Sequence, residues 1–346
     1  MARARRKGTG VTIQTVAEHA GVSAMTVSYV VNGTGRVSAA TRESVLESVR
    51  ALGYQPNVAA RSLASAATCR IGIVYQNSQN AFLSAMLVGA LNATSRLGAE
   101  LMIGKVEAPV MANTEAAMRL LVRGGANAIL LAPPYGELVS GSGLIAELGV
   151  PVAAVAHGGE LPDMATIGVD DRAATRAMAE RLIARGHRRI GFVTGPPSHD
   201  SSPLRLAGFR DAVAAAGLPW EEGLVQQGRF TFESGLEAGE ALLALSRPPT
   251  AIFASNDDMA SGVSAVVHRR GLRIPEDIAV AGFDDAPIAV KIWPSLSTVR
   301  QPVELIGERA TELLVARVTG RDDFGDTRSI RMPFDVIERE STAFDR

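Results

Sequence analysis

The sequence has little of what covalent or metal-based chemistry needs. Of 346 residues only Cys69 is a cysteine. That excludes an intramolecular disulfide and a CxxC metal site, and makes a reducing compartment the simplest setting. His19, His157, His187, His199 and His268 are widely spaced and form no metal-ligand pair. No GxSxG elbow, GxGxxG turn, Walker loop or HExxH segment is present, so nothing calls for catalysis, a metal or a cofactor. His199-Asp200 precedes serines, but an adjacent pair is not a triad, and a surface loop is the expectation. No apolar run reaches the roughly 18 residues a membrane helix needs, and the basic N-terminus lacks the apolar stretch of a signal peptide. A soluble cytoplasmic protein without membrane contact is expected.

Apolar residues make up 47% and charged residues 21%, which is ordinary globular usage, and the length suits two or three domains. The net charge of -1 hides an asymmetry. Up to Arg70 there are nine basic and three acidic residues, a balance of +6, so the remainder stands at -7. A basic head on an acidic body implies that the head meets a polyanion and the body does not.

The head reads as three short helices. Thr12 is an N-cap candidate, and Ile13, Val16, Ala17 and Ala20 recur on one face. Gly21 breaks that helix and Ser23 can cap the next, whose inward stripe is Val27, Val30 and Val31. Ser38 caps a third helix carrying Val45, Val49 and Leu52, which ends at Gly53. With the valines inward, Met25, Ser28, Tyr29 and Asn32 share the opposite face of the second helix, with Thr26 beside them. That stripe suits a recognition helix in a DNA major groove; an ordinary helical hairpin with a solvated face is the other reading of it.

From Arg70 onward short β-type runs alternate with amphipathic helices. Alternation of this kind implies α/β lobes with mainly parallel sheets, and there are enough units for two. Ligands of such sheets bind beyond the carboxyl ends of the strands. There the sequence places Asn256 and Asp257, Asp284 and Asp285, and Arg205, side chains suited to sugar hydroxyls. Phe82 or Phe230 can stack on a sugar face, and Tyr135 edges the same cleft. Asp170 and Asp171 either reach the cleft or supply the helix N-cap before Arg172, and Asp285 reads as a turn residue.

The run Thr12-Ile-Gln-Thr-Val-Ala-Glu-His-Ala-Gly-Val-Ser23, followed by Thr26-Val-Ser28, Val31-Asn-Gly33, Val37-Ser38, Leu52-Gly-Tyr54 and Pro56-Asn57, resembles the headpiece of the lactose-repressor (LacI/GalR) family of bacterial transcription regulators. More loosely, Ile71-Gly-Ile-Val74, Arg205 with Gly208-Phe209, Ser255-Asn-Asp-Asp-Met-Ala260 and Gly282-Phe-Asp-Asp285 resemble that family's effector core. The resemblance implies an all-α helix-turn-helix headpiece on a two-lobed, periplasmic-binding-protein-like α/β core. A basic tail would span 1–11, the headpiece 12–56, a hinge 57–69 and the core 70–346. The N-lobe would comprise approximately 70–186 with 300–330, and the C-lobe approximately 187–299 with 331–346.

The same resemblance implies DNA contacts by Thr12, Ser23, Ala24, Met25, Thr26, Ser28, Tyr29 and Asn32, and by the hinge residues Asn57, Ala60 and Leu63. Eight residues from Asn57 are too few to hold an isolated helix, so the hinge is expected to order in pairs on DNA, with Leu63 as a minor-groove wedge. Arg205, Asn256 and Asp284 would bind the effector and an aromatic near Phe230 would stack on it, with Phe82, Tyr135 and Asp170 as further cleft candidates. The implied partners are a pseudo-palindromic double-stranded operator, a small-molecule effector, a sugar in the main reading, and a second copy of the chain. No leucine repeat follows Phe334, so a dimer is expected. A purine effector, a sugar-binding transport protein and a sugar-converting enzyme are the competing readings.

The family most often has Arg where Tyr29 stands, so the operator does not carry over. Tyr29→Arg is expected to change the preferred base at one operator position by about 1–3 kcal/mol, measured by selection from half-site libraries. Uniform weakening across all variants would assign Tyr29 to packing or phosphate contact instead.

Overall fold

The computed structural model describes residues 11–32, 37–54, 69–76, 81–155, 159–321, 324 and 327–343. The chain divides into two compact units, 1–68 and 69–346. The expected hinge contacts Asn57, Ala60 and Leu63 lie outside the described residues, as does the tail up to residue 10.

In the first unit α1 (Ile13–Ala20), α2 (Ala24–Asn32) and α3 (Ala39–Leu52) surround a small apolar core. Thr12 and Thr15 cap α1 reciprocally, each backbone N–H donating to the other's hydroxyl at 3.3 Å. Gly21, at φ +66°, reverses the chain after α1 in the left-handed conformation that a side chain would disfavour. Ser23 Oγ accepts from the Thr26 N–H at 3.1 Å, and Ser38 Oγ from that of Thr41 at 3.2 Å. Val16, Ala17, Val27, Val30 and Val45 are buried; Ile13, Ala20, Val31, Val49 and Leu52 pack around them.

The second unit holds two six-stranded sheets. The first is built from β1 (Arg70–Gln76), β2 (Glu100–Val106), β3 (Ala128–Leu131), β4 (Val152–Val155), β5 (Ala165–Gly168) and β11 (Ser329–Arg331). Its order is β2-β1-β3-β4-β5-β11, parallel throughout. The second comprises β6 (Ile190–Thr194), β7 (Val225–Gln227), β8 (Ala251–Ala254), β9 (Ala279–Asp284), β10 (Ser297–Arg300) and β12 (Asp335–Ile337). Its order is β7-β6-β8-β9-β10-β12, with only β10–β12 antiparallel. Every residue of β3, β4 and β8 is buried, as unbroken apolar strands covered by helices on both faces must be.

The chain passes between the lobes three times: from β5 into α8 (Asp171–Ala184), from β10 into α12 (Val303–Thr319), and from β11 to β12. The first crossing corrects the expected N-lobe limit at residue 186. Helix α8 packs on α9 (Ser201–Ala215) of the second lobe, and the Arg172 guanidinium donates to both Asp211 oxygens at 2.6 and 2.9 Å. An amphipathic helix belongs to the lobe that covers its apolar face, and for α8 that is the second.

In the first lobe α4 (Ala81–Leu97) lies against α12 with glycines at the contact. A Cβ on Gly89 would fall 1.9 Å from the Glu304 carbonyl oxygen, and one on Gly307 would fall 2.3 Å from that of Met86. Backbone cannot yield there as a side chain could. Gly89→Ala is therefore expected to destabilise the core by about 1–3 kcal/mol or more. Gly223→Ala, where a Cβ meets nothing within 4 Å, should stay within about 0.5 kcal/mol of wild type. Urea denaturation of both variants compares them, and equal midpoints would contradict the close approach.

Candidate functional site

On the headpiece the second helix presents Met25 and Tyr29 to solvent at 65% and 40% exposure, large side chains with no core role. Ala24, Thr26 and Ser28 are half-buried beside them. The Ser23 and Thr26 hydroxyls lie 2.9 Å apart, so both help to fix the helix start. Thr12 is exposed and spends its hydroxyl on the α1 cap. Asn32 is the last residue of α2; its side chain lies outside what is described.

In the core a cavity of about 600 Å³ opens between the lobes. Phe82, Tyr135, Arg205, Phe230, Asn256 and Asp284 all line it. Asp170 does not. Its carboxylate caps α8, accepting from the Ala173 N–H at 3.0 Å, and pairs with Arg331 at 2.9 Å. A short acidic side chain next to a helix start satisfies the first-turn N–H groups before it can reach a cleft.

Arg205 is the centre of the polar wall. It is 5% exposed, donates from Nε to Asp171 at 2.7 Å and from Nη1 to the Ser255 carbonyl, and stacks 3.6 Å from the Phe283 ring centroid. Its Nη1 lies 4.0 Å from Asp284. Asn256 caps α11 (Asp257–Arg269), accepting from the Met259 N–H at 2.9 Å, and its Nδ2 donates to the Phe230 carbonyl at 3.1 Å. One side chain thus both caps the helix and lines the cleft. Asp257 is buried beneath the cleft floor, accepting from Thr298 Oγ1 at 2.6 Å and the Ala286 N–H at 2.7 Å. Burial pushes its carboxyl well above the usual range. Asp285 turns away to Arg300 and Arg339, each at 2.6 Å.

Two cleft residues sit where L-residues rarely do: Asp284 at φ +112° and Phe230 at φ +60°. Non-glycine residues persist there only when their surroundings enforce it, and they concentrate at ligand sites. Asp284 accepts from Gln301 Nε2 at 2.6 Å. Its carboxyl is pushed up to about 6, chiefly by burial, against the opposing pull of Arg205 and Gln301.

Sequence reasoning missed Gln301 and His199; Asp171, left between cleft and cap, turns inward to Arg205. Gln301 is 4% exposed, lines the cavity, and has an Oε1 with no hydrogen-bond partner among the described residues. The available signal was its place just past β10, a polar residue at the carboxyl end of a strand. His199 corrects the surface-loop expectation: it is partly buried on the cleft wall, with its ring 5.3 Å from that of Phe230 in an edge-on arrangement. Burial first, and then the charge of Arg205, push its imidazole down to about 4. Among the described residues no group of three side chains could hold a metal ion, and no helix is long and apolar enough to cross a membrane.

Residues 12–57 match the model of the bacterial regulatory proteins of the lacI family, and residues 179–342 match that of the periplasmic binding protein-like domain. The transcriptional regulator CelR of Thermobifida fusca is 34% identical over 324 residues, covering 89% of this chain and 92% of CelR. The chain belongs to the lacI family of bacterial regulatory proteins. Another lacI-family relative, catabolite control protein A of Priestia megaterium, is 31% identical over 96% of the chain and 99% of its own length. Two solved structures each match 96% of the chain and 99% of their own. One is a CelR–cellobiose complex, with TM-score 0.72 and 31% identity; the other is the lac repressor dimer bound to operator and the anti-inducer ONPF, with TM-score 0.74 and 28% identity. This lacI-family chain is accordingly a DNA-binding transcription regulator, not an enzyme.

The raised Asp284 carboxyl has a thermodynamic sign. Its folded-state value near 6 exceeds the unfolded value of about 3.9, so the folded state binds the extra proton between them. Its contribution to stability is fully present below about pH 4 and lost as pH rises through 6. Asp284→Asn should remove that slope, gaining on wild type by on the order of 2 kcal/mol between pH 4.5 and 7.5. Urea denaturation at both pH values tests this; a pH-independent difference between the two proteins would show that Asp284 titrates normally.

Proposed function

We propose that this chain is a cytoplasmic, homodimeric repressor whose hold on a pseudo-palindromic operator is set by a carbohydrate bound between the lobes of its core. One observation carries the reading: Arg205, Asn256, Asp284 and Gln301 converge on a cavity that the aromatic residues Phe82, Tyr135 and Phe230 also line. Hydroxyl-binding groups beside apolar ring faces are what a sugar needs. The relatives support it, one solved with cellobiose and one as a dimer on operator DNA. Two headpieces would read two half-sites through Met25, Thr26, Ser28, Tyr29 and Asn32, with Thr12, Ser23 and Ala24 toward the backbone. Asn57, Ala60 and Leu63 would engage the centre of the site.

Regulation then follows from linkage. A ligand that touches both lobes favours the lobe arrangement in which its contacts are complete, and thereby shifts the population competent to present paired headpieces.

Asp284 is the better residue for a test than Arg205, because removing the guanidinium would break the buried ion pair with Asp171 and cost about 3–5 kcal/mol in stability alone. Footprinting after genomic selection should recover an inverted repeat, bound with steep salt dependence. Asp284→Ala should protect the same repeat with wild-type affinity, while the carbohydrate that alters wild-type binding no longer does so. Recovery of asymmetric, unrelated sites, or an unchanged response in the variant, would overturn the reading.

A further inference from the structure

Among the described residues, most of the polar groups that the cleft leaves open are acceptors. Gln301 Oε1 is buried without a partner, and the carboxylates of Asp284, Asp258 and Glu233 line the same space. The guanidiniums on the wall already have carboxylate partners. Arg205 is bound by Asp171, and Arg229 by both Glu237 oxygens at 3.0 and 2.8 Å. An anionic ligand such as a sugar phosphate brings further acceptors and negative charge into a wall that, among the described residues, offers it no guanidinium without a carboxylate partner. A hydroxyl both donates and accepts, and so completes Gln301 Oε1 and the carboxylates at once. Size adds a second constraint. At about 30 Å³ per water, the 600 Å³ of this cleft, which is open to solvent on one side, gives room for roughly 20 waters and so for a ligand larger than one pyranose ring.

His199 contributes the remaining selectivity. Its ring lies edge-on to Phe230, on the loop that leads into α9. Its Nδ1 lies 3.2 Å from the Ser198 hydroxyl, which leaves Nε2 as a single uncharged group for the ligand, matched to a hydroxyl and without the charge a phosphate calls for.

We infer that the effector is an uncharged carbohydrate of more than one ring, and that His199 is a specificity-determining contact to one of its hydroxyls. This rests on the reading of the interlobe cleft as the effector site.

Titration calorimetry on the full chain with cellobiose, maltose, lactose, sucrose, trehalose and melibiose, beside glucose, galactose, glucose 6-phosphate, guanine and hypoxanthine, tests both parts. The expected result is that one of the disaccharides binds at least tenfold tighter than any monosaccharide, phosphate ester or purine. His199→Ala should weaken that disaccharide about tenfold and reduce discrimination against its epimers. His199→Gln, which keeps a neutral donor and acceptor, should recover most of the loss, and matching thermal midpoints would show that the variants are folded. Tighter binding of a monosaccharide, a phosphate ester or a purine, or no response to any disaccharide, overturns the inference. Asp284→Asn separates the two levels. If it abolishes binding of whichever compound wins, the cleft reading stands even when the compound is of the wrong class. If binding is untouched, the ligand sits elsewhere and the cleft reading fails.

Discussion

One buried guanidinium organises the effector core. Arg205 is 5% exposed, and a charge so far from water persists only when it is paired and hydrogen-bonded. Its partners come from three places in the second lobe: Asp171 at the start of α8, the Ser255 carbonyl after β8, and the end of β9, where Phe283 stacks on it and Asp284 lies at 4.0 Å. Because each partner is specified by direction as well as distance, the guanidinium fixes where two strand ends and two helix starts meet. The cleft wall is the surface that this arrangement leaves exposed.

Around that anchor the molecule accepts local costs. Asp284 and Phe230 occupy left-handed backbone conformations, Gln301 buries an acceptor without a partner, and Asp257 and Asp284 hold carboxyls whose ionisation burial opposes. Each disfavours the unliganded fold slightly, and all face the cleft or lie directly beneath it. A ligand that supplies donors relieves several of these costs together. Binding energy can thereby be converted into a preference for one lobe arrangement rather than into affinity alone.

The crossings between the lobes carry that preference. Gln301 follows β10 at the second crossing, so the residue that bonds Asp284 also stands where the chain leaves the second lobe for α12. In the first lobe α12 and α4 touch backbone to backbone at Gly89 and Gly307, a contact with little room to slide. A stiff first lobe joined by short crossings to a second lobe with a strained cleft edge suits a two-state hinge.

Much of this was legible in the sequence because it depends on neighbours along the chain. The stripes Val16 and Ala17, Val27 and Val30, and Val45 are set by helical period, and the caps at Thr12, Ser23 and Ser38 by the residue types that satisfy first-turn N–H groups. The buried strands β3, β4, β6, β8 and β9 were readable as apolar runs. The edge strand β2, only partly buried, and the short β5, β7 and β11 carried too weak a pattern to place. Arg205, Asn256 and Asp284 stood out because polar residues end apolar strands or open the helices after them. Sequence position alone did not decide which of two adjacent acids faces which partner. Asp170 caps its helix and meets Arg331, while Asp171, one residue on, turns inward to Arg205. Nor did it decide that His199 belongs to the cleft, or that α8 belongs to the second lobe. Those outcomes depend on groups brought together from 34 and 161 residues away. Local spacing determines where a chain can form a helix or a cap, but burial and pairing across the fold determine what each charged side chain there is free to do.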